Sequence, residues 1–152
     1  MPLTMRDSTA LPALFDPHPL SESQREVIRA WAKDRHPNYR DLAEKIAVEW
    51  LESGHCWWGG TDRCVVNLKP VGAFLELHFA ALPGGLREAI GVMEQFGREV
   101  WPSLGYPDII TANMNRALWR VLRSHGRRIA ASVGAVFDEP APGRFTWRRC
   151  HA

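Results

Sequence analysis

Two residues of one apolar run, Glu76 and His78, have side chains that could move a proton. The run extends over residues 74–82 and reads as a β-strand. Successive side chains of a strand point to opposite faces, so residues two positions apart share a face. A carboxylate beside an imidazole can act as a general base. A solvated glutamate and a structural histidine are the alternative interpretation, and the sequence leaves both open.

A turn rich in glycine follows this strand and precedes a helical pattern. It reads Pro83-Gly84-Gly85, and the helix is predicted from Leu86. A glycine-containing turn at a helix N-terminus presents backbone N–H groups that can bind phosphate. Arg87, in the first helical turn, adds a cation that could contact the same phosphate. The stretch therefore predicts a binding place for a phosphate-bearing cofactor.

The cysteines and their neighbouring histidines do not form a metal-binding pattern. Cys56, Cys64 and Cys150 include no C-x-x-C pair, and their number is odd. Zinc sites usually show closely spaced ligand pairs, and buried free cysteines often act as small apolar residues. We therefore expect reduced thiols, no metal and no cysteine nucleophile.

Positive charge is concentrated in the last quarter of the chain. Residues 116–152 contain 8 Arg against two acidic residues, whereas residues 1–115 contain 11 Lys and Arg against 15 Asp and Glu. Four of these arginines are spaced so that they share one helix face: Arg116, Arg120, Arg123 and Arg127. This face suits an acidic protein, a cofactor phosphate or solvent. Nucleic acid is a weaker alternative, because no recognition motif accompanies the arginines.

The elements that must position these residues follow from hydrophobic periodicity and turn residues. Residues 1–20 hold four prolines and predict an extended N-terminal arm, and residues 21–152 predict a single domain. Helices are expected over 22–36, 39–53, 86–101 and 115–126, the last ended by Gly126. Strands are expected at 57–58, 64–68, 74–82 and 109–111, with a turn at 59–62, a break at 69–70 and a closing hairpin from 129–137 and 143–149.

Composition limits the broad class of protein. A chain of 152 residues with 45% apolar and 24% charged content is typical of one globular domain. It contains no apolar run of about 18 residues and no signal-peptide pattern. We expect a cytoplasmic protein with no membrane partner.

The order of these elements resembles the GNAT family of N-acetyltransferases over residues 21–150, and two local patterns support the resemblance. The family's strand-end pattern V-x-P-x-x-[QR]-G-x-[GA]-[IL]-G is matched here at Pro83, Ile90 and Gly91. Leu86 stands where Gln or Arg is usual, and Arg87 stands where a glycine is usual. The family's N-x(10)-G pattern is matched by Asn115 and Gly126, with Leu122 where many members carry a tyrosine that acts as general acid.

The resemblance implies an α+β fold with a central, mostly antiparallel sheet flanked by helices. It also implies an acyl-CoA-dependent N-acyltransferase that passes an acetyl group from acetyl-CoA directly to the amine of a small molecule or a protein. Glu76 or His78 would be the catalytic base. The pantetheine arm would pair with the backbone near Phe79 and Ala81. The pyrophosphate would meet the backbone N–H groups of Leu86, Arg87, Glu88, Ala89, Ile90 and Gly91. Asn115 would also lie near the cofactor.

A second function is consistent with the departures from the family patterns. Small GNAT-like proteins encoded by bacteriophages show similar departures, and some resemble virion or accessory proteins rather than catalysts. Such a protein would act by assembly, with protein partners bound by the N-terminal arm and the basic C-terminal face. Its location would be the host cytoplasm or the virion.

Overall fold

A six-stranded sheet runs through the centre of the protein in the order β1-β2-β3-β4-β6-β5. The computed structural model describes residues 15–112 and 116–149. The strands are β1 (Trp57–Thr61), β2 (Cys64–Val71), β3 (Phe74–Ala81), β4 (Asp108–Ala112), β5 (Ala135–Ala141) and β6 (Arg144–Arg149). All neighbouring strands are antiparallel except β3 and β4, which are parallel.

In the described part of the chain, four α-helices cover the two faces of this sheet. They are α1 (Glu22–Arg35), α2 (Arg40–Leu51), α3 (Leu86–Glu99) and α4 (Arg116–Val133), and a short 3₁₀ turn (Trp101–Ser103) follows α3. The predicted fold class, an α+β fold with a central, mostly antiparallel sheet flanked by helices, is confirmed. Of the predicted arm over 1–20, residues 1–14 lie outside the described residues.

Alternation along β2 divides the core into two clusters. Val65 packs with α1 and α2 in one cluster, whereas Val66 and Leu68 pack with α3 and α4 in the other. The second cluster is the larger and includes Phe96, Trp101, Phe145 and Trp147. Burial of such apolar side chains is the main favourable contribution to folding.

Both ends of the α1–α2 hairpin are fixed by polar contacts. Ser21 and Gln24 form the predicted capping box at the start of α1. Glu52, just after α2, accepts a hydrogen bond from the N–H of Leu20 at 2.8 Å and lies 3.3 Å from the guanidinium of Arg25. The contacts of Glu52 join the start of α1 to the end of α2, and the hairpin forms one wall of a cavity described below.

Two predicted interruptions of the first strands are wrong. Gly59 and Gly60 lie within β1, and the turn to β2 falls at Asp62 and Arg63. A Cβ at Gly60 would stand 2.3 Å from the carbonyl oxygen of Cys64 on the paired strand, so glycine is needed there for close approach. Pro70 lies within β2 rather than in a break. The pairing of β1 ends opposite Leu68, so the missing N–H of Pro70 costs no hydrogen bond to β1.

The predicted end of the last helix at Gly126 is also wrong, since α4 continues to Val133. Gly126 is buried in the middle of α4, where a Cβ would stand 2.5 Å from Cε1 of Phe137. Glycine is needed there for the close approach of β5, not to stop the helix. The first strand of the closing hairpin therefore begins at Ala135 instead of near residue 129.

The parallel strands β3 and β4 pair only over a short stretch and then part. Their pairing covers Phe74 to Glu76 on β3 and Asp108 to Ile110 on β4. Beyond it, β3 stays paired with β2 as far as Ala81, and β4 stays paired with β6 as far as Ala112. The hydroxyl of Thr111 donates a hydrogen bond of 3.0 Å to the carbonyl oxygen of Leu77 at the point of parting. The result is a cleft in the sheet.

Candidate functional site

A cavity of about 580 Å³ lies between the α1–α2 hairpin and the sheet at this cleft. The part of β3 beyond the parallel pairing contributes residues 77–80, and β4 contributes Thr111 and Ala112. Opposite them, Trp31 of α1 and Ile46 and Trp50 of α2 form an apolar wall. The size is within the range of about 300–1,000 Å³ that is common for small-molecule sites.

The side chains of Glu76 and His78 lie together on the sheet face toward this cavity. Nε2 of His78 is 2.5 Å from Oε1 of Glu76, and His78 lines the cavity. An ionised carboxylate only accepts hydrogen bonds, so Nε2 must carry the proton in this contact. In the neutral form of the imidazole, the lone pair is then on Nδ1, which is the arrangement of an oriented base. The shared face predicted from strand alternation is confirmed.

The glycine turn after β3 is a tight reverse turn that leads directly into α3. Gly84 has φ of 84°, a left-handed conformation that favours glycine, and the N–H of Gly85 donates to the carbonyl oxygen of Leu82 at 2.8 Å. A Cβ at Gly85 would stand 2.5 Å from the carbonyl oxygen of Arg63. Both glycines of the turn are therefore required by backbone geometry.

The first turn of α3 provides three free backbone donors. Among the described residues, no group accepts a hydrogen bond from the N–H of Leu86, Arg87 or Glu88. The N–H of Ala89 donates to the carbonyl oxygen of Gly85 at 3.0 Å and is not free, so the predicted run of donors over 86–91 is too long. This is the usual pattern of an α-helix, in which the early N–H groups lack partners within the helix.

A groove of about 480 Å³ runs between α3 and α4 from this helix start. Arg87 and Gly91 line it from α3, and His125 and Arg128 line it from α4. Neither arginine has a hydrogen bond or ion pair among the residues that the structure describes. Glu94 also lines the groove, with Oε1 3.8 Å from the guanidinium of Arg98. The two unpaired arginines leave the groove with an excess of positive charge.

The other predicted cofactor residues have different surroundings. Phe79 is half-buried and lines the cavity, and Ala81 pairs with Cys64 at the end of β3. The side chains of Ala89 and Ile90 are buried in the core beneath α3. The predicted contact Asn115 lies outside the described residues.

Sequence reasoning missed several polar residues that line the two cavities, among them Asn67, Lys69, Thr111 and Arg128. Asn67 is paired with His78, and Lys69 is paired with Glu76. Strand alternation together with this register would have placed both on the face of the catalytic candidates. No comparable local signal marks Thr111 or Arg128.

Leu122, Cys56 and Cys64 offer no reactive group at the site. Leu122 is buried in the core beneath α4 and its apolar side chain cannot transfer a proton. Burial raises the pKa of the Cys56 thiol to about 11, so it stays protonated at neutral pH, and Cys64 is also buried. No three potential metal ligands lie together in the part of the chain that the structure describes, from which Cys150 is missing.

The basic C-terminal face is partly neutralised. The guanidinium of Arg123 binds the carboxylate of Glu139 at 2.5 and 2.9 Å, and this hydrogen bond lowers the pKa of Glu139. Arg148 binds Asp108 at 2.9 Å. Arg120 and Arg127 are exposed. None of the described helices is long and apolar enough to span a membrane.

Comparison with known proteins gives one similar structure. No protein-family model and no curated protein sequence matches the chain significantly. A solved structure described as an acetyltransferase from Agrobacterium tumefaciens str. C58 is similar at 15% sequence identity and a TM-score of 0.42. The alignment covers 93% of this chain and 96% of that one. A likeness at this level does not assign an activity or a substrate to the chain.

Proposed function

We propose that the protein is an acetyl-CoA-dependent N-acyltransferase that passes an acetyl group directly to an amine. The observation that carries the proposal is the parting of β3 from β4 beside the Glu76–His78 pair. The parting opens the sheet to a cavity of suitable size, and β3 leads from that cavity to the free donors of α3.

The residues around the start of α3 fit a nucleotide cofactor with several phosphates. The N–H groups of Leu86, Arg87 and Glu88 are free, and helix N-termini favour anions. The Arg87 and Arg128 side chains would add charge-assisted hydrogen bonds. A Cβ at Gly91 would have no neighbour within 4 Å, so internal packing does not require glycine there. A ligand lying in the groove gives a reason for the missing side chain.

The chemistry follows from the Glu76–His78 pair. Bound there, acetyl-CoA would supply an acetyl thioester, whose C–S bond breaks as the C–N bond to the amine forms and whose sulfur leaves as a thiolate. Nδ1 of His78 would accept the proton that the attacking amine loses, and Glu76 would stabilise the resulting imidazolium. Because Leu122 cannot act as a general acid, this imidazolium would return the proton to the thiolate.

Calorimetric titration of CoA tests the cofactor site. Arg87→Ala should raise the dissociation constant roughly tenfold or more, because a hydrogen bond to a charged group contributes about 1.5–3 kcal/mol. Arg40→Ala, on the exposed surface of α2, is the matched control and should leave it unchanged. If CoA affinity is the same in the Arg87 variant, the assignment of the groove is wrong.

A second candidate function is assembly, as for an accessory or virion protein, and α2 carries the observation that favours it. Four large apolar side chains form an exposed stripe along α2, namely Tyr39, Leu42, Ile46 and Trp50, with exposed fractions of 68, 55, 57 and 38%. Exposed apolar patches often mark interaction surfaces. Light scattering should then show an oligomer that Leu42→Glu dissociates, whereas a monomeric wild type would contradict assembly of this chain through the stripe.

A further inference from the structure

The ionisable groups that line the 580 Å³ cavity are all basic. They are Arg35 at the end of α1, His36 just after it, and Lys69 and His78 on the sheet, and no Asp or Glu of the described residues lines the cavity. Such a lining attracts an anion and disfavours a ligand with several positive charges.

Two of these cations, Lys69 and Arg35, have no acidic partner among the described residues that line the cavity. Lys69 makes no ion pair or hydrogen bond among the described residues, and Arg35 has only an exposed contact of 3.8 Å with its neighbour Asp34. Glu76 is paired with Lys69 across the strands, but its carboxylate is in contact with His78. A ligand would therefore meet Lys69 as a free ammonium group.

The distance between Lys69 and His78 indicates how far apart the anionic group and the amine of a ligand would lie. Lys69 is paired with Glu76, and Asn67 is paired with His78, so Lys69 lies two residues along the sheet from the base. Two strand residues span roughly 7 Å. An amine at His78 and an anion at Lys69 would thus belong to one small molecule.

The wall opposite the sheet is apolar and aromatic. Trp31, Ile46 and Trp50 provide most of it, and the two alanines beside them, Ala43 and Ala47, leave space between the larger side chains. This wall would contact an apolar group of the ligand, with its amine and anion turned toward the sheet.

We propose that the acceptor is an α-amino acid with an aromatic or large aliphatic side chain, held by its carboxylate at Lys69 and Arg35. This inference rests on the proposed function, because it names the substrate of the same site. It disfavours polyamines and lysine-rich peptides, because their several positive charges would face Lys69 and Arg35.

Binding of acetylated products in the absence of CoA tests the inference. N-acetyl-L-phenylalanine and its uncharged amide differ only at the carboxyl group, and both can be titrated calorimetrically, with N-acetylspermidine as a polycationic probe. We expect the carboxylate to bind roughly tenfold or more tightly than the amide. Lys69→Met should remove this preference, and Lys45→Met, an exposed lysine of α2 outside the cavity, should keep it.

Three results would overturn the inference: equal affinity for the carboxylate and the amide, no binding of either, or tighter binding of N-acetylspermidine. All three results can be obtained without CoA, so they do not depend on the outcome of the CoA titration. If CoA binds and the amide binds as well as the carboxylate, the acceptor assignment fails and the acyltransferase proposal stands. If CoA does not bind, the acyltransferase proposal itself fails.

Discussion

At the scale of single residues, the account depends first on His78 as the base. His78→Gln should lower the rate of acetyl transfer by about 10²–10⁴, the usual contribution of general base catalysis, and leave CoA affinity unchanged. Glu76→Gln should cause a smaller loss, because the amide oxygen can still accept from Nε2 but no longer neutralises the imidazolium. Release of the CoA thiol, measured with L-phenylalanine as acceptor, gives the rate. An unchanged rate in the His78 variant would show that another group takes the proton.

A substitution at Gly91 should change folding stability and CoA affinity in opposite directions. Gly91→Ala should raise the melting temperature, because alanine is favoured over glycine in a helix interior by roughly 1 kcal/mol and a Cβ there meets no neighbour within 4 Å. The same methyl group lies in the α3–α4 groove and should weaken CoA binding. If stability rises and CoA affinity does not fall, the cofactor does not approach this part of α3.

The local sequence predicts only part of the site at this scale. The shared face of Glu76 and His78 follows from strand alternation, and the free donors at Leu86 follow from the glycine turn. Lys69 and Arg128 could not be placed in the same way. Lys69 needs the register between two strands, and Arg128 needs the packing of two helices that are separated by β4.

At the scale of elements, the contact between α4 and β5 fixes where the last helix lies. Gly126→Ala should lower stability by about 1–3 kcal/mol, the usual cost of overpacking, because its Cβ would stand 2.5 Å from the ring of Phe137. Gly91→Ala is the matched control, since it is also a helix-interior glycine but has open space. Urea denaturation of both variants measures the difference. Equal stability changes would mean that β5 can move away from α4 without cost.

Most elements could be predicted from periodicity, and the errors have a common physical cause. The capping box at Ser21 and the amphipathic pattern of α3 are local signals, and both helices begin where they were predicted. Gly60 and Gly126 were interpreted as turn or stop residues, although each is required by close contact with a distant part of the chain. A single sequence does not distinguish a glycine that ends an element from one that allows another element to approach.

The apolar face predicted for α2 shows the same limit. Periodicity placed Leu42, Ile46 and Trp50 on one side of the helix, which is correct, but this side is exposed. The residues of α2 that are buried against the rest of the protein are Val48 and Leu51. The amphipathic pattern identifies an apolar face but not what covers it. In the acyltransferase proposal a ligand contacts this face, and in the assembly proposal another protein does.

At the scale of the whole molecule, the sheet separates the two parts of the proposed reaction. The Glu76–His78 pair faces the cavity beneath α1 and α2, and the free donors and unpaired arginines lie with α3 and α4. β3 connects them, because it carries the pair on one face and ends in the turn that starts α3. The proposal requires that pairing between two neighbouring strands stops early, and β3 and β4 meet this requirement where they part.

The melting temperature with acetyl-CoA is the most direct test of this arrangement. A ligand at 100 times its dissociation constant stabilises a protein by about 2.7 kcal/mol, which corresponds to a rise of about 5–10 °C for a domain of this size. S-acetyl-N-acetylcysteamine, an acetyl thioester without the nucleotide phosphates, should have far less effect at the same concentration. The account predicts this difference between the two thioesters, and an unchanged melting temperature at millimolar acetyl-CoA would contradict it.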